Sequence, residues 1–362
     1  MMADPIHIVE PTLQDHAGHC HSFIAALCGA GRGGPFEVWA SRRATNLFET
    51  LPQVTLRRHF RRRLRKLQAY FLYRRLLREP GRIFVATAGT ADLMILDWLS
   101  RPLPPGKVCA YVHWIRPSAS KLRRLERIAE RQPNLQVIGP TETVTRVFEA
   151  AGFRQVRVAP YPITTYVRAA GGGSFRHVLY AGAARRDKGF DRLVDLVELL
   201  RERGSDLPVV AQACGDYFGK VDSETAGDLR RLARSGYSCL RTIADPLGTP
   251  DFLALFSGAI CLQLYCAEDF ADRVSVVTLD ALSSGAPIVT VAGTWMARQV
   301  ERFEAGCALE EASGGELLLE AIEKIRRDYH RYRSNAIRAG ETLQREHDPA
   351  RLYEIIVDSA QE

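Results

Sequence analysis

Short apolar runs alternate along this chain with longer stretches in which apolar residues recur every three or four positions. A run at 6–10 precedes a helical stretch near 19–28 and a second run at 36–40. The alternation continues through runs at 82–86, 108–113, 136–138 and 156–160. β-Branched runs bounded by Gly, Pro or polar residues read as buried strands, and three-to-four spacing reads as amphipathic helix. Strand and helix in turn predict βαβ units, and hence a parallel sheet with helices on both faces.

The segment Ala169-Ala170-Gly171-Gly172-Gly173-Ser174 interrupts this series. Small, flexible residues of that kind suit a linker rather than a core. A second series follows, with strands at 177–181, 208–213, 259–265 and 286–291 and helices at 190–203, 226–235 and 277–284. The expected organisation is an N-terminal α/β domain over 1–168, a linker over 169–174, a second α/β domain over 175–340 and a helical segment over 341–362. Pro349 breaks that last segment, whose end is expected to reach back to the first domain. A length of 362 residues allows two such domains, each with its own core.

Composition narrows the class. Apolar residues make up 46% and charged residues 25%, which excludes a disordered or fibrous chain. No apolar run has the length of a signal peptide or a membrane span. The eight cysteines form no Cys-x-x-Cys pair and several sit in apolar runs, so they read as reduced thiols of a cytoplasmic protein.

The net charge of +7 is concentrated. Between Arg57 and Arg78 stand ten Lys or Arg and no Asp or Glu, so one segment supplies the whole positive excess. Within it Leu56, Phe60, Leu64, Leu67 and Phe71 recur at steps of four, four, three and four, which predicts a helix with one apolar stripe and a cationic face. Such a helix suits an anionic membrane surface, reached from the cytoplasmic side. The plainer alternative packs the stripe on the first domain and leaves the arginines in water, and the two readings are compatible. No nucleic-acid motif accompanies the segment, and no nucleic-acid partner is expected.

Three loops carry candidate chemistry. Thr12-Leu13-Gln14-Asp15-His16-Ala17-Gly18-His19 follows the first strand and opens a helix. Gly18 would let backbone approach a ligand, and the unpaired N–H groups of a helix start attract phosphate. His16, His19, Cys20 and His21 have spacings found in metal sites, but no matching ligand group stands elsewhere, and an ordinary helix start is the reading adopted. The second loop, Gly182-Ala183-Ala184-Arg185-Arg186-Asp187-Lys188-Gly189, again lies between strand and helix, and its cations would hold a phosphate more firmly. The third runs from Tyr265 through Asp272-Arg273-Val274-Ser275 to Asp280, placing two carboxylates eight residues apart. Carboxylates at such places pair well with ribose hydroxyls. A solvated loop is the bland alternative for each.

Taken together these segments resemble the GT-B glycosyltransferases, in particular the large retaining family, family four, that includes sucrose synthases and many bacterial cell-envelope sugar transferases. The resemblance is strongest from Val178 to Pro287, where Gly182, Lys188-Gly189 and Asp280-Ala281-Leu282-Ser283-Ser284-Gly285-Ala286-Pro287 match the family's pattern. It implies two Rossmann-like doubly wound domains facing a cleft, the first binding acceptor and the second a nucleotide-sugar donor. It also implies that Lys188 contacts the donor diphosphate, that Asp280 holds the ribose and that Gly18 lies beside the phosphates. His113, ending a strand of the first domain, resembles the family's His that touches the transferred sugar.

The nucleotide-sugar would be a co-substrate, so the resemblance implies no cofactor. No Asp-x-Asp triplet occurs, and no metal is expected: Lys188, Arg185 and helix N-termini would offset the charge of the leaving diphosphate. The acceptor class that the envelope-building relatives suggest is a lipid-linked molecule or a glycan.

Two departures from the family pattern are visible. Ala183 replaces the usual Arg after Gly182, leaving Arg185 or Arg186 to substitute, and Asp272 replaces a longer Glu. The loop N–H groups of Val274 and Ser275, with Arg273, then gain weight over the first carboxylate. These departures keep open a catalytically degenerate scaffold. A sugar-nucleotide epimerase is a further alternative, for which only His113 and Glu142 present themselves as acid/base groups.

Overall fold

The computed structural model describes residues 4–16, 19–31, 34–164, 173–214 and 221–358. It divides into two compact units, one formed by the chain up to Thr164 and from Glu346 onward, the other by Thr165 to Arg345. The expected linker falls largely at 165–172, outside the described residues.

In the first unit the strands are β1 (Ile6–Val9), β2 (Phe36–Ser41), β3 (Val54–Phe60), β4 (Arg82–Val85), β5 (Val108–Tyr111), β6 (Gln136–Gly139) and β7 (Gln155–Val158). The helices between them are α1 (His19–Ala30), α2 (Arg65–Leu76), α3 (Thr90–Leu99), α4 (Ala119–Arg131) and α5 (Glu142–Ala150). The sheet order is β3-β2-β1-β4-β5-β6-β7 and every pairing is parallel. β1, β5 and β6 are buried throughout, as strands covered on both faces must be.

The second unit holds β8 (His177–Tyr180), β9 (Val209–Gln212), β10 (Leu240–Ile243), β11 (Ala259–Gln263), β12 (Ile288–Val291) and β13 (Gly306–Leu309) in the order β10-β9-β8-β11-β12-β13, again all parallel. Its helices are α6 (Phe190–Glu202), α7 (Ser223–Arg234), α8 (Thr249–Ala254), α9 (Ala267–Phe270), α10 (Val276–Ser283), α11 (Trp295–Phe303), α12 (Gly315–Arg327) and α13 (Tyr329–Glu346). Pro349 opens the last described helix, α14 (Pro349–Asp358), as its fixed φ allows. α14 belongs to the first unit, where it packs on α1 and its Ile356 carbonyl accepts from the Arg82 guanidinium. The return of the C-terminal helix to the first domain is thus present.

Two doubly wound parallel-sheet units are what the alternating pattern predicted. Each sheet reverses its direction of winding once, between β1 and β4 in the first unit and between β8 and β11 in the second. At such a switch point the loops leaving the two central strands diverge and open a crevice, which is where ligands bind in open α/β sheets.

The basic segment corrects the sequence reading. Residues 54–60 form the edge strand β3, paired to β2 from Phe36↔Val54 to Ser41↔Phe60, and not the start of a helix. The misreading has a physical cause: a step of four is compatible with either period, and a register shift between Ala40 and Ser41, opposite Arg58 and Phe60, breaks the alternation that would have marked a strand. The helix begins only at Arg65, and it buries Ala69, Leu72, Tyr73 and Leu76 rather than the expected stripe. Leu64, Leu67 and Phe71 face outward.

Candidate functional site

At the switch point of the second unit the chain leaves β8 through Ala181 and Gly182. Gly182 has φ +127°, a conformation open to Gly, and its N–H donates to Gln212 Oε1 at the end of neighbouring β9 at 3.0 Å. Residues Arg186–Lys188 make one 3₁₀ turn, after which Gly189 turns left-handed at φ +71° and α6 begins. A Cβ on Gly189 would sit 2.3 Å from the Leu264 carbonyl oxygen, so only glycine lets this loop lie against the end of β11. The two loops are also tied by the Cys266 N–H, which donates to the Asp187 carbonyl at 3.0 Å.

This close approach gathers three cations. The half-buried Lys188 ammonium lies 5.4 Å from the centroid of the buried Tyr265 ring, and Arg273 lies 4.9 Å over the Phe270 ring. Burial, then the positive charges of Arg185 and Arg273, pull the Lys188 pKa down to about 8, against the opposing pull of Asp187. Arg273 is lowered for the same reasons, burial first and Arg185 next. Arg185 forks onto Asp187, with Nε 2.8 Å from Oδ1. The three cations converge on Asp187 at the start of α6, with Asp269 also acting on Arg273, and the first N–H groups of the helix add positive partial charge. Cations that depress one another beside a helix N-terminus suit a phosphate-bearing anion.

The other candidates of the second unit are placed as follows. Arg186 does not join the cluster: its guanidinium meets buried Asp228 at 2.7 Å and Glu224 at 3.1 Å, both on α7. Asp272 is 2.9 Å from Arg298 on α11. Val274 follows Arg273, and Ser275 caps α10, its Oγ accepting from the Thr278 N–H at 3.4 Å. Asp280 lies half-buried in the second turn of that helix, near enough to buried Cys261 that its charge, after burial, raises the thiol.

In the first unit, Gly18 lies outside the described residues. His113 follows β5, and its Nε2 is 2.8 Å from the Ala86 carbonyl at the end of β4. A carbonyl only accepts, so Nε2 carries the proton there. Phe23, Tyr111 and Tyr161 surround the ring, with centroids 4.9–5.6 Å away. Of the supposed metal spacing, the His16 and His21 rings meet edge to face at 4.4 Å, and His21 Nε2 lies 2.9 Å from the Leu47 carbonyl. Glu142 is an exposed first-turn residue of α5, paired with Arg146 one turn on at 2.8 Å.

Sequence reasoning did not single out Gln212, Asp187 or Phe270, which hold the cation loops in place. Nor did it find Glu10, fully buried at the end of β1, which accepts from the Thr12 N–H and from the hydroxyls of Thr12 and Thr87. Burial raises its pKa. Its place directly after a central strand was the available signal.

No protein-family model matches the chain, and no curated protein matches it in sequence. Solved structures do resemble it. HepE of Anabaena in complex with UDP-glucose has a TM-score of 0.71 at 14% identity, with 99% of each chain covered. Sucrose-phosphate synthase from Thermosynechococcus elongatus has a TM-score of 0.69 at 14% identity, covering 99% of this chain and 98% of its own. WaaG, a glycosyltransferase involved in lipopolysaccharide biosynthesis, has a TM-score of 0.67 at 14% identity, covering 97% and 99%. At such identities the likeness is one of fold, and the fold is that of GT-B glycosyltransferases.

Proposed function

We propose that the chain is a glycosyltransferase that moves a sugar from a nucleotide-sugar donor to an acceptor, with retention of anomeric configuration and without a metal. The observation that carries this reading is the convergence of Lys188, Arg185 and Arg273 at the start of α6, at the switch point of the second sheet. Charge builds on the diphosphate as the sugar leaves, and fixed cations with helix N–H groups stabilise it most where water is displaced. Asp280 accepts from the ribose hydroxyls and Ser275, Val274 and Gly182 line the phosphates. The fold shared with HepE, whose complex holds UDP-glucose, and with the glycosyltransferase WaaG supports a donor of this class.

The first unit serves the acceptor. His113, with Nε2 committed to the Ala86 carbonyl, presents the rest of its ring from an aromatic setting to the transferred sugar, and Gly18 lies beside the phosphates. The acceptor is lipid-linked or a glycan of the cell envelope, and the enzyme works in the cytoplasm against an anionic membrane surface that residues 57–78 contact. Glu142, one of the two acid/base candidates of the epimerase reading, is paired with Arg146 on the surface of α5.

A thermal-shift screen over nucleotide sugars, followed by donor hydrolysis with the best ligand, tests the reading. A ligand that binds only the folded protein raises Tm. Binding with hydrolysis supports a transferase, binding without turnover supports the degenerate scaffold, and no shift with any nucleotide sugar refutes both.

A further inference from the structure

The α2–α3 surface of the first unit carries an apolar cluster that no other part of the described chain covers. Leu64 is 45% exposed, Leu67 56% and Phe71 57%, and on the neighbouring helix Met94 is 42% and Trp98 73% exposed. Tyr70 joins the two helices' contributions, its ring 5.3 Å from Phe71 and 5.6 Å from Trp98. The inner faces of the same helices are already filled by Leu72, Tyr73 and Leu76 on α2 and Leu93 and Leu96 on α3. The outward set is therefore not a core displaced by misfit, and four large apolar side chains on adjoining helices, with Leu64 in the turn before them, exceed the single exposed residues usual on a protein surface.

Cations surround the cluster. Arg61, Arg62, Arg63 and Arg65 are exposed beside Leu64, and Arg74 and Arg78 extend the face begun by Leu67 and Phe71 at further steps of three and four. Lys66 is committed to buried Asp92 at 3.0 Å, Arg57 to Glu37 and Arg75 to Glu79. Arg61, Arg63, Arg65 and Arg74 have no carboxylate partner among the described residues.

We propose that this surface docks by insertion, with Trp98, Phe71 and Leu67 entering the headgroup region of an anionic bilayer while the arginines lie on lipid phosphates. Charge complementarity selects the occupant: cations around an aromatic centre match a sheet of anionic headgroups above hydrocarbon, where Trp and Tyr settle. The proposal deepens the membrane contact offered above by naming its mode and residues, and it is independent of the sugar-transfer reaction. Each arginine adds about fivefold in membrane affinity, a part that salt screens, while the inserted side chains supply a part that salt leaves in place.

The test uses the full chain with vesicles of phosphatidylcholine alone and mixed with phosphatidylglycerol. Wild type is expected to sediment with the mixed vesicles only, with a blue-shifted tryptophan emission that Trp98→Phe removes. The triple variant Leu67→Gln, Phe71→Gln, Trp98→Gln should bind at least about tenfold more weakly, with the difference persisting at high salt. Unchanged circular dichroism and unchanged nucleotide binding by the second unit show that the variant is folded. Donor hydrolysis without vesicles should equal wild type, which separates failure here from failure of the transferase reading. Equal binding to neutral vesicles, a wild-type emission that does not move, or triple-variant binding within about twofold of wild type overturns the proposal.

Discussion

The Lys188 ammonium stands 5.4 Å from the Tyr265 ring centroid and shares its surroundings with Arg185 and Arg273. The ring face attracts a cation, but burial and, after it, the two like charges oppose the charged form, and the pKa falls to about 8. Burial and like charge thus disfavour the charged form of Lys188, and an anion bound beside it would relieve both.

A pH dependence follows. Unfolded, Lys188 titrates near 10.5; folded, near 8. The folded state thus binds fewer protons between those values, and the destabilisation from Lys188 is absent above about 10.5 and complete below about 8. A bound diphosphate restores the proton. Nucleotide-sugar binding should take up a proton at alkaline pH, and affinity should fall by up to about tenfold per pH unit above 8. Titration calorimetry in buffers of different ionisation enthalpy reads this directly. Lys188→Met should abolish the proton uptake, and uptake that persists in that variant places it on another group.

Gly189 has a left-handed backbone and no room for a Cβ against Leu264. Gly189→Ala should cost more than about 2 kcal/mol, from the φ penalty together with the displaced loop, and should weaken donor binding because Lys188 precedes it. Urea denaturation and nucleotide affinity check the two effects, and a variant as stable as wild type would contradict the described turn.

Arg186 and Asp280 separate a structural cation from a ligand-binding acid. Asp228→Ala removes the buried partner of Arg186, and the protein should lose stability while its nucleotide affinity stays within about twofold. Asp280→Asn keeps the shape but weakens the acceptor, so affinity should drop at constant stability. The reverse pattern in paired melting and binding measurements would exchange their assignments.

Much of the fold was legible because its central strands, such as β5 and β11, are fully buried and read as continuous apolar runs. Of the edge strands only β7 was read, as the run at 156–160. β10 is Leu-Arg-Thr-Ile with no buried residue, β13 starts at a glycine forced by the Ile288 carbonyl, and β3 carries charges that suit either period. Within the candidate site, Lys188 and Gly189 stood out because they lie together in a loop between an apolar run and a helical stretch, and that strand–loop–helix placement is present. Arg185 and Arg186 could not be told apart, since the choice between them rests on Asp228, forty-two residues away. Gln212, which holds the Gly182 N–H, reaches the site from a neighbouring strand and leaves no local signature. The outward face of α2 was hidden for a similar reason, because which apolar residues of a helix are buried depends on what packs against it.

The central claim is that the cation cluster of the second unit stabilises the leaving diphosphate of a nucleotide sugar. The most direct measurement is single-turnover sugar transfer or donor hydrolysis by folded Lys188→Ala beside wild type. The account predicts a rate loss of several hundredfold, corresponding to about 3–4 kcal/mol of transition-state stabilisation, with an unchanged melting curve or a slightly raised one. A folded Lys188→Ala protein that turns over its donor at close to the wild-type rate would contradict it.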